Sequence, residues 1–391
     1  MYIKRKIQRL LAQALKQFPV VLITGPRQAG KSTLLRHALK KYAYVTLDDP
    51  LSRQMARDDP ELFLANHPPP VIVDEIQYAP ELLPHIKIFV DQNRRKYGQF
   101  VLTGSQTFQI MEGVSESLAG RIAIFSLYPF SWQEVVTIPK YKRIAHQDLA
   151  TARQMIRGFY PEFFVNPDLD PSLWYSSYLS TYIERDVRNI KNIPDLGRFQ
   201  TFISLLAARA GQLLNISEVA KECGITQPTA KSWLSILEST YIIYLLKPYH
   251  KNRTKRLVKT PKVYFVDTGL LCYLLGLDIP NRLMKAGERG HIFENMVIMD
   301  AIKSLSYEKK RADCYFYRTA SGVEIDLVIE QSGEYDLYEI KYAKKLSQDM
   351  ARALVQFKEE HPVRAAQVLS LQKKSYLLAK DVRAEHWTKL I

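Results

Sequence analysis

Residues 18–35 read FPVVLITGPRQAGKSTLL, and the order of parts in this stretch decides the fold. Phe18 to Thr24 is a short apolar run rich in β-branched residues, as a buried strand requires. It runs into Gly25-Pro26-Arg27-Gln28-Ala29-Gly30-Lys31-Ser32, which fills the pattern G-x-x-x-x-G-K-[ST], and Thr33 to Lys41 then reads as a helix. Glycines let backbone N–H groups wrap a phosphate, and the following helix turns its N-terminus toward the same charge. Residues Gly25 through Thr33 are therefore the expected phosphate cradle. Lys31 reaches the β- and γ-phosphates there, and Ser32 offers its hydroxyl to Mg²⁺.

Two further strands complete the chemistry. PPPVIVDEIQYAP (68–80) is an apolar run ending in Asp74-Glu75. A carboxylate at such a strand tip can hold Mg²⁺ beside the phosphate loop, and the next one can polarise the attacking water. GQFVLTGSQ (98–106) ends in Thr103, Gly104, Ser105 and Gln106, which puts Ser105 in reach of a γ-phosphate or of that water. A helix is expected from about Phe108 to Leu118, ending at Gly120, with another strand from about Ile122. Arg121 stands at that junction.

With these strings in place, residues 2–134 resemble the predicted AAA-type ATPases of bacteria and archaea that join an ATPase domain to a C-terminal domain of unknown function, the AAA_14/DUF4143 type. The matching strings are GPRQAGKSTLL, LDDP, VIVDEIQYAP, LTGSQ and SLAGR followed by LYPFSWQE. The resemblance implies an AAA+-like P-loop NTPase fold and ATP rather than GTP, in keeping with the absence of an N-K-x-D string. It also gives Arg121 two readings. One is an arginine finger reaching a neighbour's nucleotide in a homo-oligomer. The other is a cation at a helix C-terminus that favours the dipole. Arg185 and Arg188 are weaker candidates for the finger.

Residues 136–210 read as a helical lid or linker, with a helix from Trp174 to Ile190. In LLNISEVAKECGITQPTAKSWLSILESTYIIYLLKPY (213–249), Asn215 or Ser217 caps a short helix, Gly224 breaks it, and Thr226 caps a second running to about Glu238. Two helices about a glycine turn, followed by strands, describe a winged helix-turn-helix over 211–265. The second helix offers Gln227, Thr229, Lys231 and Ser232. The wing, KPYHKNRTKRLVKTPK (247–262), offers Lys251, Arg253, Lys255, Arg256 and Lys259. That is a footprint for DNA, though winged helices also serve as protein-packing modules.

The last third, 266–391, carries acids in apolar company. RGHIFENMVIMDAIKSL (289–305) is an apolar helix interrupted by Glu294. Strands ending at Arg318, spanning 323–329 with Asp326, and holding Glu339 and Lys341 in DLYEIKYAKK come next, then a helix over 346–360 and a strand over 366–371. Helix, three strands, helix and strand with E…D…E-x-K is the layout of the PD-(D/E)xK nuclease core, a restriction-endonuclease-like α/β fold. The family's C-terminal domain is generally placed in that superfamily, which also holds inactive members. Glu294, Asp326 and Glu339 would then hold Mg²⁺ or Mn²⁺, and Lys341 would orient water or neutralise developing charge. The bland alternative is an acidic hairpin with Lys341 in a surface ion pair.

Composition agrees with a folded protein that meets anions. The 391 residues are 47% hydrophobic and 24% charged, with a net charge of +15. Cys223, Cys272 and Cys314 are far apart and form no CxxC pair, which fits a reducing cytoplasm. Ile3, Ile7, Leu10, Leu11, Ala14, Leu15 and Phe18 recur at helical spacing, so the N-terminus reads as a packing helix rather than a signal peptide. No apolar run approaches the length of a membrane span. The expectation is an ATP-hydrolysing protein acting on DNA with a metal-dependent nuclease-like C-terminal domain. The alternative is an ATPase switch or scaffold whose nuclease-like domain is inactive.

Overall fold

The computed structural model describes residues 2–105, 114, 117–142, 148–183, 193, 195–250, 260–308, 312–319 and 321–390. The apolar run that opens residues 18–35 forms β1 (Val20–Thr24), in which every residue is buried. Burial on both faces is what a parallel sheet covered by helices demands. With β2 (Ala43–Thr46), β3 (Val71–Asp74), β4 (Phe100–Gly104) and β5 (Ile122–Ser126) it makes a five-stranded sheet in the order β2-β3-β4-β1-β5. Every pairing in it is parallel. This order places β4 between the phosphate-loop strand and the strand that ends in Asp74, so Thr103 and Ser105 emerge between them. Leu22, Val45, Phe63, Val73, Ile86 and Leu102 form part of the core beneath. The helix after the loop spans Lys31–Ala38. The helix expected over 108–118 lies largely outside the described residues.

Contacts divide the chain into two compact units. The first holds the residues up to Phe130 with Tyr160–Glu162 and Ser239–Tyr241; the second holds Ser131–Phe159, Phe163–Glu238 and Ile242–Ile391. In the first, the N-terminal periodicity ends in a helix, Gln8–Ala14, with Ile3, Ile7, Leu11 and Ala14 buried.

In the second unit the caps read from the sequence form. The Asn215 side chain accepts from the Glu218 amide at 3.3 Å, and Thr226 Oγ1 accepts from the Thr229 amide at 3.3 Å. They start helices Ile216–Glu222 and Gln227–Ser239, with Gly224 at φ +64° in the turn between them. An antiparallel hairpin of β6 (Ile243–Pro248) and β7 (Lys262–Phe265) follows. The basic residues Lys251, Arg253, Lys255, Arg256 and Lys259, and also Arg185 and Arg188, fall outside the described residues.

The hairpin does not stand alone. β6 pairs in parallel with β8 (Asp313–Arg318), which continues through β9 (Glu324–Gln331), β10 (Glu334–Ile340), β11 (Val363–Ser370), β13 (Val382–His386) and β12 (Tyr376–Ala379). The result is an eight-stranded sheet in the order β12-β13-β11-β10-β9-β8-β6-β7. The helix expected over 346–360 begins as a 3₁₀ turn, Gln348–Ala351, before the α-helix Arg352–Glu360, whose Leu354 and Phe357 pack on Ile325, Val328 and Leu337. The apolar helix of the last third runs Arg289–Leu305. It is pinned to β7 by Asn295, whose amide accepts from the Phe265 N–H at 2.7 Å and donates to the Phe265 carbonyl at 2.8 Å. One pinned residue thus sets the position of Glu294 beside it. The three cysteines are free thiols.

Candidate functional site

The phosphate loop owes its shape to glycine. Gly25 has φ +144°, and a Cβ on it would sit 2.1 Å from the Leu127 carbonyl oxygen, so no side chain fits there. Gly30 enters the helix at φ +89°. Arg5 braces the loop from behind, donating to the Ala29 carbonyl at 2.8 Å and to the Tyr128 carbonyl at 2.6 Å. Lys31 is buried, and its ammonium curls back onto the carbonyls of Gly25 at 2.9 Å and Pro26 at 3.0 Å.

The carboxylate pair stands opposite. Ser32 Oγ donates to Asp74 Oδ2 at 2.7 Å, joining the loop to the tip of β3. The Tyr44 hydroxyl donates to the same oxygen at 2.5 Å, and Thr103 Oγ1 donates to Asp74 Oδ1. Burial, followed by the bond to Asp74, pushes the Tyr44 phenol up to about 12, so it remains a donor across the physiological range. Glu75 sits at φ +60°, a left-handed conformation that costs a non-glycine residue about 1–3 kcal/mol and is typical of functional turns. Its amide donates to Thr103 Oγ1 at 3.1 Å. The Gln77 amide donates to Glu75 Oε2 and, at 3.3 Å, to Ser105 Oγ, tying the carboxylate to the end of β4. Ser32, Asp74, Glu75 and Ser105 are therefore brought together at the C-terminal ends of the neighbouring strands β1, β3 and β4.

Arg121 is engaged within its own unit. Its Nε and Nη2 lie 2.7 Å and 3.1 Å from the two oxygens of Asp91, and Nη1 donates to the Ala119 carbonyl at 3.1 Å.

A second convergence occupies the C-terminal sheet. The antiparallel register of β9 and β10 pairs Leu327 with Tyr338, so Asp326 and Glu339 come next on the two strands. Asp326 Oδ2 accepts from the Ile340 amide at 2.7 Å. Lys341 Nζ is 2.5 Å from Glu339 Oε1 and 3.9 Å from Asp326 Oδ2, and 36% of its side chain is exposed. Glu294 joins from the pinned helix: its Oε1 accepts from the Tyr264 hydroxyl at 2.6 Å and from Lys262 at 3.3 Å. Lys262 also lies 2.5 Å from Glu324, and its side chain is 4% exposed.

Burial and the neighbouring carboxylates Glu294 and Glu339 push Asp326 well above the usual carboxylate range. Burial likewise raises Glu339 against the pull of Lys341. For Glu294 burial acts upward, but the bonds and charges of His291, Lys262 and Tyr264 prevail and hold it below the ordinary value. The site offers carboxylate oxygens, among them Glu339 Oε2, which is buried without a hydrogen-bond partner. Yet among the described residues no group of three or more His, Cys, Asp and Glu side chains is arranged to hold a metal ion. Two ammonium groups stand among the acids instead.

On the helix Gln227–Ser239, Gln227 and Lys231 are exposed and Thr229 and Ser232 half-buried. The Gln227 amide donates to Ser217 Oγ at 2.8 Å.

Sequence reasoning missed several of these partners. Gln77 is one of them, although a polar residue just past a strand-end carboxylate pair is a usable signal. Tyr44 and Arg5 carried none. Lys262 closed the basic string 247–262 and was indistinguishable there from a solvated wing cation.

Three families match segments of the chain: "AAA domain" over residues 17–136, "Domain of unknown function (DUF8612)" over 149–281, and "Domain of unknown function (DUF4143)" over 289–388. The uncharacterized proteins Rv2008c of Mycobacterium tuberculosis and Mb2031c of Mycobacterium bovis are each 31% identical to it over 356 residues, covering 90% of this chain and 77% of theirs. Among solved structures, the Walker-type ATPase PABY2304 of Pyrococcus abyssi is similar at 16% identity, with 70% of this chain and 96% of that one covered and a TM-score of 0.48.

Proposed function

We propose, for a chain that belongs to the family of AAA-type P-loop ATPases carrying a C-terminal DUF4143 domain, a Mg²⁺-dependent ATPase that works on DNA as a cytoplasmic homo-oligomer. The observation that carries the ATPase part is the 2.7 Å bond from Ser32 to Asp74, with Glu75 next in the chain at the C-terminal end of β3. Residues Gly25 to Thr33 cradle the phosphates. Lys31 exchanges two loop carbonyls for phosphate oxygens, a stronger, charge-assisted pairing. Glu75 accepts a proton from the attacking water, oriented by Gln77 against Ser105. Ser32 and Asp74 would hold Mg²⁺.

In the C-terminal unit, Glu294, Asp326 and Glu339 would hold Mg²⁺ or Mn²⁺ for phosphodiester cleavage. When bound, such an ion supplies positive charge for the phosphoryl oxygens and lowers the pKa of its water. Lys341, the more exposed of the two ammoniums, faces outward to position the water or the phosphate. A winged helix-turn-helix over 211–265, with Gln227, Thr229, Lys231 and Ser232 on its second helix, is the proposed DNA contact.

A second reading keeps the ATPase but makes the C-terminal domain a docking surface with no cleavage. It draws on the two lysines that already neutralise the carboxylates. The discriminating experiment compares the wild type with Asp326→Ala for cleavage of single- and double-stranded DNA, with Mg²⁺ or Mn²⁺, with and without ATP. Cleavage that disappears in Asp326→Ala supports the nuclease. ATP hydrolysis with no cleavage by either protein selects the switch. Absence of ATP hydrolysis would overturn both.

A further inference from the structure

The helices Ile216–Glu222 and Thr268–Leu274 close with the same bond. The Ile225 amide donates to the Ala220 carbonyl at 3.0 Å, and the Leu277 amide to the Cys272 carbonyl at 2.9 Å. The residue before each donor is glycine, Gly224 at φ +64° and Gly276 at φ +65°. Glycine is the usual choice at a left-handed helix end, because it has no Cβ to clash. After Gln227–Ser239 the Ile242 amide donates to the Leu237 carbonyl at 2.9 Å in the same way, but here the left-handed residue is Tyr241, at φ +61°. A bulky side chain in that conformation is strained and persists only where its surroundings hold it.

What holds Tyr241 is the start of the phosphate loop, 217 residues away from it in the chain. Tyr241 belongs to the same compact unit as Thr24, Ser126 and Tyr128. Its ring is buried and meets Tyr128 edge-on, with centroids 5.5 Å apart. Its hydroxyl lies 2.7 Å from Thr24 Oγ1 and 2.9 Å from Ser126 Oγ. Thr24 gives its one proton to the Phe125 carbonyl at 3.3 Å, so Tyr241 donates to Thr24 and accepts from Ser126. Thr24 ends β1 and Ser126 ends β5, paired in register. The next residues are Gly25, which opens the cradle, and Leu127, whose carbonyl closes over Gly25. One hydroxyl thus ties the two strand ends from which the cradle and its wall depart.

We propose that Tyr241 is a positioning residue for the phosphate loop, its hydroxyl fixing the ends of β1 and β5 so that the loop amides are set before nucleotide arrives. This rests on the ATPase reading given above and deepens it. The loop binds phosphate through backbone N–H groups, and their direction follows from the direction of the chain at Gly25. Apparent affinity scales with the fraction of molecules whose loop is already set.

The test is calorimetric titration of a non-hydrolysable ATP analogue, and separately of inorganic tripolyphosphate, into wild type, Tyr241→Phe, Thr24→Val and the double variant. Tyr241→Phe keeps the ring and the helix end and removes only the hydroxyl. It is expected to bind both ligands about 3- to 10-fold more weakly, the worth of one hydrogen bond, with kcat at saturating ATP unchanged. Thr24→Val should lose as much, and the double variant no more than the weaker single variant, because both changes delete one bond. Wild-type affinity in Tyr241→Phe overturns the inference and leaves the ATPase reading intact. So does a loss that spares tripolyphosphate, a fall in kcat alone, or losses that multiply in the double variant. No binding by the wild type overturns both. If Tyr241→Phe fails to fold, Thr24→Val decides from the other end of the bond, and wild-type affinity there overturns the inference.

Discussion

The phosphate cradle and the carboxylate site differ in how the chain builds them. The first is nine consecutive residues, Gly25 to Thr33, whose working groups are largely backbone and whose shape comes from glycine. The second gathers Lys262, Glu294, Glu324, Asp326, Glu339 and Lys341 from β7, a helix, β9 and the end of β10, and its working groups are side-chain charges that hold one another. The fold of a backbone site depends little on any one charge beside it, even where that charge binds the ligand. A buried charge network depends on each, because each partner removed leaves another unpaired.

This difference can be broken by experiment, beginning with the largest effect. Glu75→Gln should lower ATP turnover by about 10²–10⁴-fold, the usual worth of a general base, while ATP affinity and the unfolding midpoint stay at wild-type values. Near-normal turnover would remove Glu75 from the base role.

Glu294→Ala should cost about 1–3 kcal/mol of stability in urea unfolding, because it removes one of the two carboxylates paired with the buried Lys262 and leaves the Tyr264 hydroxyl without its acceptor. A loss below about 1 kcal/mol, the level of an exposed pair, would show that the network is wet and would erase the contrast. Lys31→Ala should weaken ATP binding about 10–100-fold, from the loss of charged hydrogen bonds worth about 1.5–3 kcal/mol. Retained affinity would overturn the cradle.

The smallest effect belongs to Arg121. Its pair with Asp91 is part-exposed, so Arg121→Ala should change stability by less than about 1 kcal/mol. If Arg121 leaves Asp91 to serve a neighbour's nucleotide, ATPase rate per chain should rise with protein concentration in wild type and stay flat in the variant. A flat wild-type response would confine Arg121 to holding its own helix end.

How far each site was legible follows the same division. Gly25, Lys31, Ser32, Asp74 and Glu75 could be read in order because each lies at the end of its own strand or loop, where local pattern is enough. Ser105 was legible as a strand-end polar group, but its link through Gln77 was not, since that bond spans two strands. Glu294 stood out as an acid on an apolar helix, and Asp326 and Glu339 by their hairpin spacing. Lys262 was illegible. A lysine in a basic stretch carries the same letter whether it is solvated or buried.

The sequence by itself determined four of the five strands of the nucleotide-binding sheet, its loop, its carboxylate tips, the caps of the helices Ile216–Glu222 and Gln227–Ser239, and the strands β8 to β11, but not β2, β12 or β13. Each depends on periodicity, glycine and capping, which act over a few residues. Only the tertiary structure decided that the hairpin of β6 and β7 adds its strands to the C-terminal sheet, that Asn295 locks Glu294 against β7, and that Lys262 thereby meets Glu294 and Glu324. Those outcomes turn on pairing between segments tens of residues apart, and a charge acquires its partner only when the chain between them has folded.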